Sequence, residues 1–244
     1  MTEPRQLSPL QGQSAAPRYV WYASFGSNLH LSRLRYYLAG GCPPGTGRTY
    51  PGCRDPRDPL ESTAVALPGD VYFAGESPVW TGGVAFYDPA AEGIAAARAH
   101  LVSVEQFSDI AAQEMHRDPG ADLDLDAVLA AGRLETGPGP YETLVCAGSL
   151  DGRPVLTFTA PWCRNDVTCT APSALYLHQL ASGLRESHAW APERIAEYLS
   201  ARSGVAGHWA SDALLSVCRG EVDAAVAPGD VAEVLPEPVR QPAS

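Results

Sequence analysis

The amino-acid sequence predicts an α+β fold with an antiparallel or mixed sheet, either open or closed into a barrel. Strand-like runs fill the first two thirds of the chain, and the last third carries apolar residues at helical spacing. The 244 residues, 45% of them hydrophobic and 18% charged, suffice for one well-buried core. We expect a single domain over residues 18–235, with disordered Pro-rich tails at 1–17 and 236–244.

The first elements are a strand, a tight glycine turn and a helix. Aromatic and β-branched residues are dense from Tyr19 to Phe25, and the run stops at Gly26. Apolar residues then recur at helical spacing over 29–38, and Asn28 is placed as the N-cap of this helix.

The remaining elements follow from periodicity and turn residues. Residues 40–61, rich in Gly and Pro, predict a long irregular loop, and such loops are often functional. An Asp-Gly pair at 151–152 indicates a hairpin. We expect strands at 63–67, 71–74, 79–87, 97–102, 143–150 and 154–159, and helices at 104–115, 124–131, 174–186, 192–202 and 208–219.

Charge and hydropathy exclude several classes of partner. The chain has 17 Lys and Arg against 28 Asp and Glu, a net charge of -11, which repels nucleic acid and anionic membranes. It has no long apolar run and no segment resembling a signal peptide. We expect a cytoplasmic protein, monomer or homodimer, that acts on a small molecule.

The six cysteines form no C-x-x-C pair, so free thiols are expected. Four of them, in loop-like sequence, could meet around a metal, but their spacing matches no zinc site. These are Cys42, Cys53, Cys163 and Cys169. We expect neither a metal nor a cofactor.

Glu114 is the first candidate for chemistry. It shares one helical stripe with Phe107, Ile110 and Ala111, which faces the core, whereas Asp109 falls on another face and is expected in solvent. A buried carboxyl has a raised pKa, as a general acid/base near neutral pH requires. Alternatively, Glu114 reaches solvent or pairs with a loop arginine, Arg48, Arg54 or Arg57.

Two further features accompany it. The turn at Gly26 precedes a helix, so its N–H groups could hold a carboxylate or a developing oxyanion, or it could be a plain capping turn. Tyr176 lies on an apolar helical stripe, with a hydroxyl that needs a partner, and such tyrosines are more often structural.

These motifs, in this order, resemble the γ-glutamylcyclotransferase-like family over roughly residues 19–200. The family's Y-G-S-N-L loop is similar to Phe25-Gly26-Ser27-Asn28-Leu29. Its W-x-G-x-A strand is similar to the run from Trp80 through Gly82-Gly83-Val84-Ala85. The family segment that carries the catalytic glutamate is similar to Gln113-Glu114. The family's P-S-x-x-Y helix is similar to Pro172-Ser173 with Tyr176, Gly183 and Glu186.

The resemblance implies a small β-barrel flanked by helices, with extra C-terminal helices here. It implies release of 5-oxoproline from a γ-glutamyl amine or peptide, without metal or cofactor. Glu114 would be the acid/base. The substrate-binding residues would be Tyr22, Phe25, Gly26, Ser27, Asn28, Leu29, Trp80 and Tyr176. Phe25 in place of Tyr, and Met115 in place of Gly, depart from the family pattern.

Two other functions remain open. The same fold could be a non-catalytic module that binds a carboxylate-bearing ligand. It could also be an amidase or acyltransferase that uses a thiol such as Cys42 or Cys163, although no Cys/His pattern supports this.

Overall fold

A computed structural model describes residues 3–10, 16–44 and 47–221. The predicted tail at 236–244 and the end of the predicted domain lie outside these residues. The strands are β1 (Arg5–Gln6), β2 (Tyr19–Ser24), β3 (Glu61–Pro68), β4 (Asp70–Ala74), β5 (Val84–Asp88), β6 (Ile94–Ser103), β7 (Arg133–Glu135), β8 (Thr143–Leu150) and β9 (Arg153–Thr159). The helices are α1 (Leu31–Ala39), α2 (Val104–Glu114), α3 (Asp126–Ala131), α4 (Ala174–His188), α5 (Pro192–Ser200) and α6 (Ser211–Arg219), with 3-10 turns at Ser27–Leu29 and Arg164–Asp166.

Seven strands form one mixed sheet in the order β1-β3-β6-β2-β9-β8-β7. The pairs β1–β3 and β2–β9 are parallel and the others antiparallel, while β4 and β5 form a separate hairpin. The α+β class is therefore confirmed. In the described part of the chain, hydrogen bonds do not close the strands into a barrel, because β1 and β7 end the sheet.

Strand β2 is central and buried on both faces. Alternate side chains point to opposite sides of a strand, so Trp21 and Ala23 join one hydrophobic cluster while Val20 and Tyr22 join another. The first cluster includes Ile195 of α5 and other residues of α4–α6, so the C-terminal helices are part of the core.

The N-terminal segment differs from the prediction of disorder. Arg5–Gln6 pairs with β3, and Ser8 exchanges two backbone hydrogen bonds with Ser149, of 3.0 and 2.7 Å. Sheet edges offer unpaired backbone groups to such a segment, and Leu7 packs against the core. A pattern within 1–17 could not reveal these partners, because they come from distant strands.

The strand expected at 79–87 begins only at Val84. Ser77 starts a turn instead: its side chain accepts hydrogen bonds from the N–H groups of Val79 and Trp80, and its own N–H bonds the Gly82 carbonyl. The turn holds Thr81 and Gly82 at positive φ of 58° and 66°, which a strand cannot accommodate.

Helix α2 carries Glu114 at its last position and begins with a capping box between Ser103 and Gln106. Its buried stripe of Phe107, Ile110 and Ala111 is as expected. No helix among the residues described is both long and apolar enough to cross a membrane.

Candidate active site

A cavity of about 170 Å³ opens beside the turn at Gly26, which follows β2. This volume is similar to that of cavities, about 150 Å³, that hold a benzene ring, so a small organic molecule fits. Exposed residues Gly75, Glu76 and Pro78 lie at its mouth. All but one of the sequence-predicted site residues line it: Tyr22, Phe25, Gly26, Ser27, Asn28, Trp80, Glu114 and Tyr176.

Leu29 is the exception, because it does not line the cavity. Its side chain is buried in the core, against Gly183 of α4. Its carbonyl accepts a hydrogen bond of 3.1 Å from Arg98. The 3-10 turn at Ser27–Leu29 directs successive side chains apart, so Asn28 faces the cavity while Leu29 faces away.

Asn28 is not the N-cap of α1, since that helix begins at Leu31 after His30. Its Nδ2 donates to Glu114 Oε1 at 3.2 Å and to the Tyr22 hydroxyl at 3.3 Å. Its Oδ1 is buried and has no hydrogen-bond partner within the described residues. An ionised carboxylate only accepts hydrogen bonds, so the Asn28 amide faces Glu114 with its donors.

A buried histidine holds the backbone of this loop. His100 Nε2 lies 3.2 Å from the Asn28 carbonyl, to which it must donate, so Nδ1 accepts from the Ser62 hydroxyl at 2.8 Å. Burial lowers the pKa of His100 to about 3, which keeps this neutral tautomer.

The turn leaves N–H groups directed away from its own carbonyls. Leu29 N–H bonds the Gly26 carbonyl and His30 N–H bonds the Ser27 carbonyl. The N–H groups of Gly26, Ser27 and Asn28 have no acceptor in the part of the chain that is described. These three donors belong to residues that line the cavity and are suited to an oxyanion or carboxylate.

Glu114 is partly buried in the cavity wall. Burial raises the pKa of its carboxyl above the usual value, against the opposing effects of the Tyr37 and Asn28 hydrogen bonds and of the Arg33 and Arg48 charges. A carboxyl with a raised pKa in a cavity wall is suited to proton transfer.

The loop arginines have other primary partners. Arg54 pairs with Asp109 at 2.9 Å, and Arg57 with Asp55 at 2.6 Å. Asp109 is fully buried, which corrects the expectation that it lies in solvent. Asp109 can be buried because Arg54 supplies the counter-charge that a buried carboxylate needs, and helical periodicity does not reveal this partner.

Residues 47–53 of the predicted loop contribute to a wall of the cavity. Arg48 and Tyr50 line the cavity, and Gly52 N–H donates to Gln113 of α2 at 3.3 Å. Arg48 Nη2 donates to the Gln113 carbonyl at 2.9 Å. The segment is thus fastened to the end of α2, next to Glu114.

Arg33 and Tyr37 of α1 are site residues that the sequence reasoning missed. They lie four residues apart and share a helix face, and Tyr37 falls among the residues whose helical spacing predicts this helix. The sequence feature that could have indicated them is Arg33, a charged residue on the same helix face as Tyr37.

Aromatic side chains form the remaining wall. Tyr176 stacks on Trp80 with ring centroids 5.5 Å apart, and its hydroxyl accepts a hydrogen bond from Ala85 N–H at 3.3 Å. Tyr141 and Trp162 on the other side both contact Phe86. The Trp162 indole N–H is buried without a partner among the residues described.

The two candidate thiols, Cys42 and Cys163, do not line the cavity. Burial raises the pKa of Cys163, the reverse of what a nucleophilic thiol requires. Within the described ranges, no group of three or more His, Cys, Asp or Glu side chains could hold a metal ion.

No family model matches the chain. Histone deacetylase 5 of Arabidopsis thaliana is 31% identical over 202 residues, which are 74% of this chain and 30% of that protein. The chain thus spans about 30% of the length of this curated relative.

Two solved structures are similar in fold to this chain. One is titled gamma-glutamyl cyclotransferase, at 12% identity and a TM-score of 0.45, and covers 83% of this chain and 99% of that chain. The other is an uncharacterized protein from Homo sapiens, at 14% identity and a TM-score of 0.43, with the same coverage. At these identities and TM-scores, the residues of the cavity must decide the function.

Proposed function

We propose that the protein is a cyclotransferase that releases 5-oxoproline from a small γ-glutamyl amine or γ-glutamyl peptide. The observation that carries the proposal is the placement of Glu114. Its carboxylate is oriented by Asn28 and Tyr37 in a small cavity, beside the three unpaired N–H groups of Gly26, Ser27 and Asn28.

The reaction needs orientation and proton transfer, and the substrate supplies its own nucleophile. Glu114 takes a proton from the α-ammonium, and the freed amine attacks the γ-carbonyl carbon to form the C–N bond of a five-membered lactam. The bond from that carbon to the leaving amine then breaks. The attacking nitrogen loses a second proton as the lactam forms, so two protons pass in turn by way of Glu114 to the leaving nitrogen, which departs as an ammonium, and Glu114 ends as it began.

The turn at Gly26 would stabilise the developing negative charge and position the α-ammonium of the substrate. The N–H groups of Gly26, Ser27 and Asn28 would stabilise the charge that develops on the carbonyl oxygen. The unpaired Oδ1 of Asn28 would accept a hydrogen bond from the α-ammonium and so hold it beside Glu114.

The test is incubation with a panel of γ-glutamyl amines and dipeptides, with 5-oxoproline measured by mass spectrometry. We expect product from the wild type and none above background from Glu114→Gln. Glu105→Gln is the matched control, because it makes the same change on α2 but outside the cavity. A Glu114→Gln variant as active as the wild type refutes the mechanism, and saturable binding with no product from any substrate supports a binding module.

A further inference from the structure

The guanidinium of Arg33 lies in the cavity wall, and two of its nitrogens have no hydrogen-bond partner among the described residues. The residue is only 5% exposed and lines the cavity. Nη2 donates to the Tyr50 hydroxyl, but Nε and Nη1 are buried and have no hydrogen-bond partner among the described residues. Unpaired buried donors on a charged group are costly, so a ligand that satisfies them gains binding energy.

The neighbours of Arg33 leave room for such a ligand. Its guanidinium lies 4.7, 5.5 and 5.7 Å from the ring centroids of Tyr50, Tyr37 and Trp80, which hold it in place but accept no N–H hydrogen bond in its plane. Glu114 is near enough for its pKa to be lowered by the Arg33 charge, yet the two form no ion pair within 4.0 Å in the described structure. Asn28 and Tyr37 hold the Glu114 carboxylate instead.

The chemistry of the unsatisfied group defines the ligand. A guanidinium offers parallel pairs of N–H bonds that match the two oxygens of a carboxylate. Tyr50 takes one hydrogen of Nη2, so the other can form such a pair with the neighbouring Nε or Nη1 hydrogen.

We propose that Arg33 binds the α-carboxylate of the substrate, so that the protein accepts only γ-glutamyl compounds whose α-carboxylate is free. The inference rests on the proposed function for the identity of the ligand. In a γ-glutamyl compound the α-carboxylate and α-amine share one carbon, so a carboxylate on Arg33 leaves the amine beside Glu114. A γ-glutamyl residue whose α-carboxylate is in a peptide bond lacks the charge and is excluded.

The same contact would assist the reaction. The Arg33 charge lowers the pKa of Glu114. A bound carboxylate neutralises that charge, so Glu114 becomes a stronger base only when the substrate is in place.

The experiment compares two ligands that differ by the carboxylate, 5-oxoproline and 2-pyrrolidinone, by titration calorimetry. Loss of a charge-assisted hydrogen-bonded pair predicts that the wild type binds 5-oxoproline about 10- to 100-fold more tightly than 2-pyrrolidinone. We expect Arg33→Met to abolish this preference by weakening 5-oxoproline binding alone, and Arg33→Lys to restore part of it. Arg35→Met is the matched control, because Arg35 lies on the same helix but pairs with Asp58 outside the cavity.

A preference that survives in a folded Arg33→Met variant overturns the proposal. Should that variant not fold, the wild type still gives a decision: equal turnover of a γ-glutamyl amine and its α-carboxamide analogue overturns the proposal, and a preference of 10-fold or more for the free carboxylate supports it. If no γ-glutamyl compound yields 5-oxoproline, the proposed reaction fails, while Arg33-dependent binding of 5-oxoproline would still support the carboxylate site.

Discussion

Replacing Gly183 by alanine should displace the 3-10 turn at Ser27–Leu29. A Cβ at this position of α4 would lie 2.5 Å from the Leu29 Cβ, 2.9 Å from the His30 nitrogen and 3.0 Å from the Leu29 carbonyl carbon. Two of these three atoms are backbone, so no rotamer change relieves the contact. The 3-10 turn that carries Asn28 must move by roughly 1 Å to restore ordinary packing.

The change in the free energy of unfolding of Gly183→Ala follows from two opposing effects. Overpacking costs about 1–3 kcal/mol, and this contact belongs at the upper end because backbone must shift. Alanine regains about 1 kcal/mol of helix propensity over glycine. We expect a net loss of about 2 kcal/mol in the free energy of unfolding, or a fall in Tm of about 4–8 °C for a domain of this size.

Activity should fall further than stability alone explains. A misplacement of about 1 Å can cost about 100-fold in rate, so we expect kcat/KM for 5-oxoproline release to drop about 10- to 100-fold, at a temperature where the variant is fully folded. Urea titration and the product assay measure the two effects. Ser182→Ala, one position away on α4, is the control and should change neither. A Gly183→Ala variant with wild-type stability and kcat/KM would refute the reasoning.

The remaining predictions concern pH and one hydroxyl. Because the pKa of Glu114 is raised and its ionised form is the base, kcat/KM should fall on acidification with a midpoint above 4.5, and a lower midpoint contradicts the assignment. Tyr176→Phe leaves the Ala85 N–H without its acceptor and should cost about 1–3 kcal/mol in urea unfolding; unchanged stability would show that the hydroxyl is dispensable. Burial lowers the pKa of His100 to about 3 and of His188 to about 4, so below pH 6.5 the unfolded chain binds more protons than the folded one. The free energy of unfolding should therefore fall between pH 6.5 and 5, by up to about 1.4 kcal/mol per pH unit for each histidine, and a flat profile contradicts this.

The relative named histone deacetylase 5 does not change these expectations. Its name describes a protein of which this chain matches 30%. The proposed reaction breaks a bond within a small γ-glutamyl compound. The panel experiment decides this directly, because 5-oxoproline forms only when the γ-glutamyl group cyclises.

The sequence by itself determined the local structure and most of one wall of the site. Helical and strand periodicity report which faces are buried, so the longer strands and helices, the stripe that carries Glu114 and the glycine break after β2 could be predicted, whereas the short edge strands β1 and β7 could not. Periodicity could not show that Leu29 faces the core and Asn28 the cavity, since a 3-10 turn has no repeating pattern that tells which side chain faces the core.

Only the tertiary structure decided the opposite wall. Segment 40–61 has no repeating pattern, and its position depends on distant partners such as Asp109 and Gln113 of α2. The unsatisfied Arg33 was equally invisible, because a sequence shows that a charge is present but not whether an acceptor stands beside it. Hydrogen-bond satisfaction is a property of the packed chain, and in this protein the chemistry of the cavity depends on it.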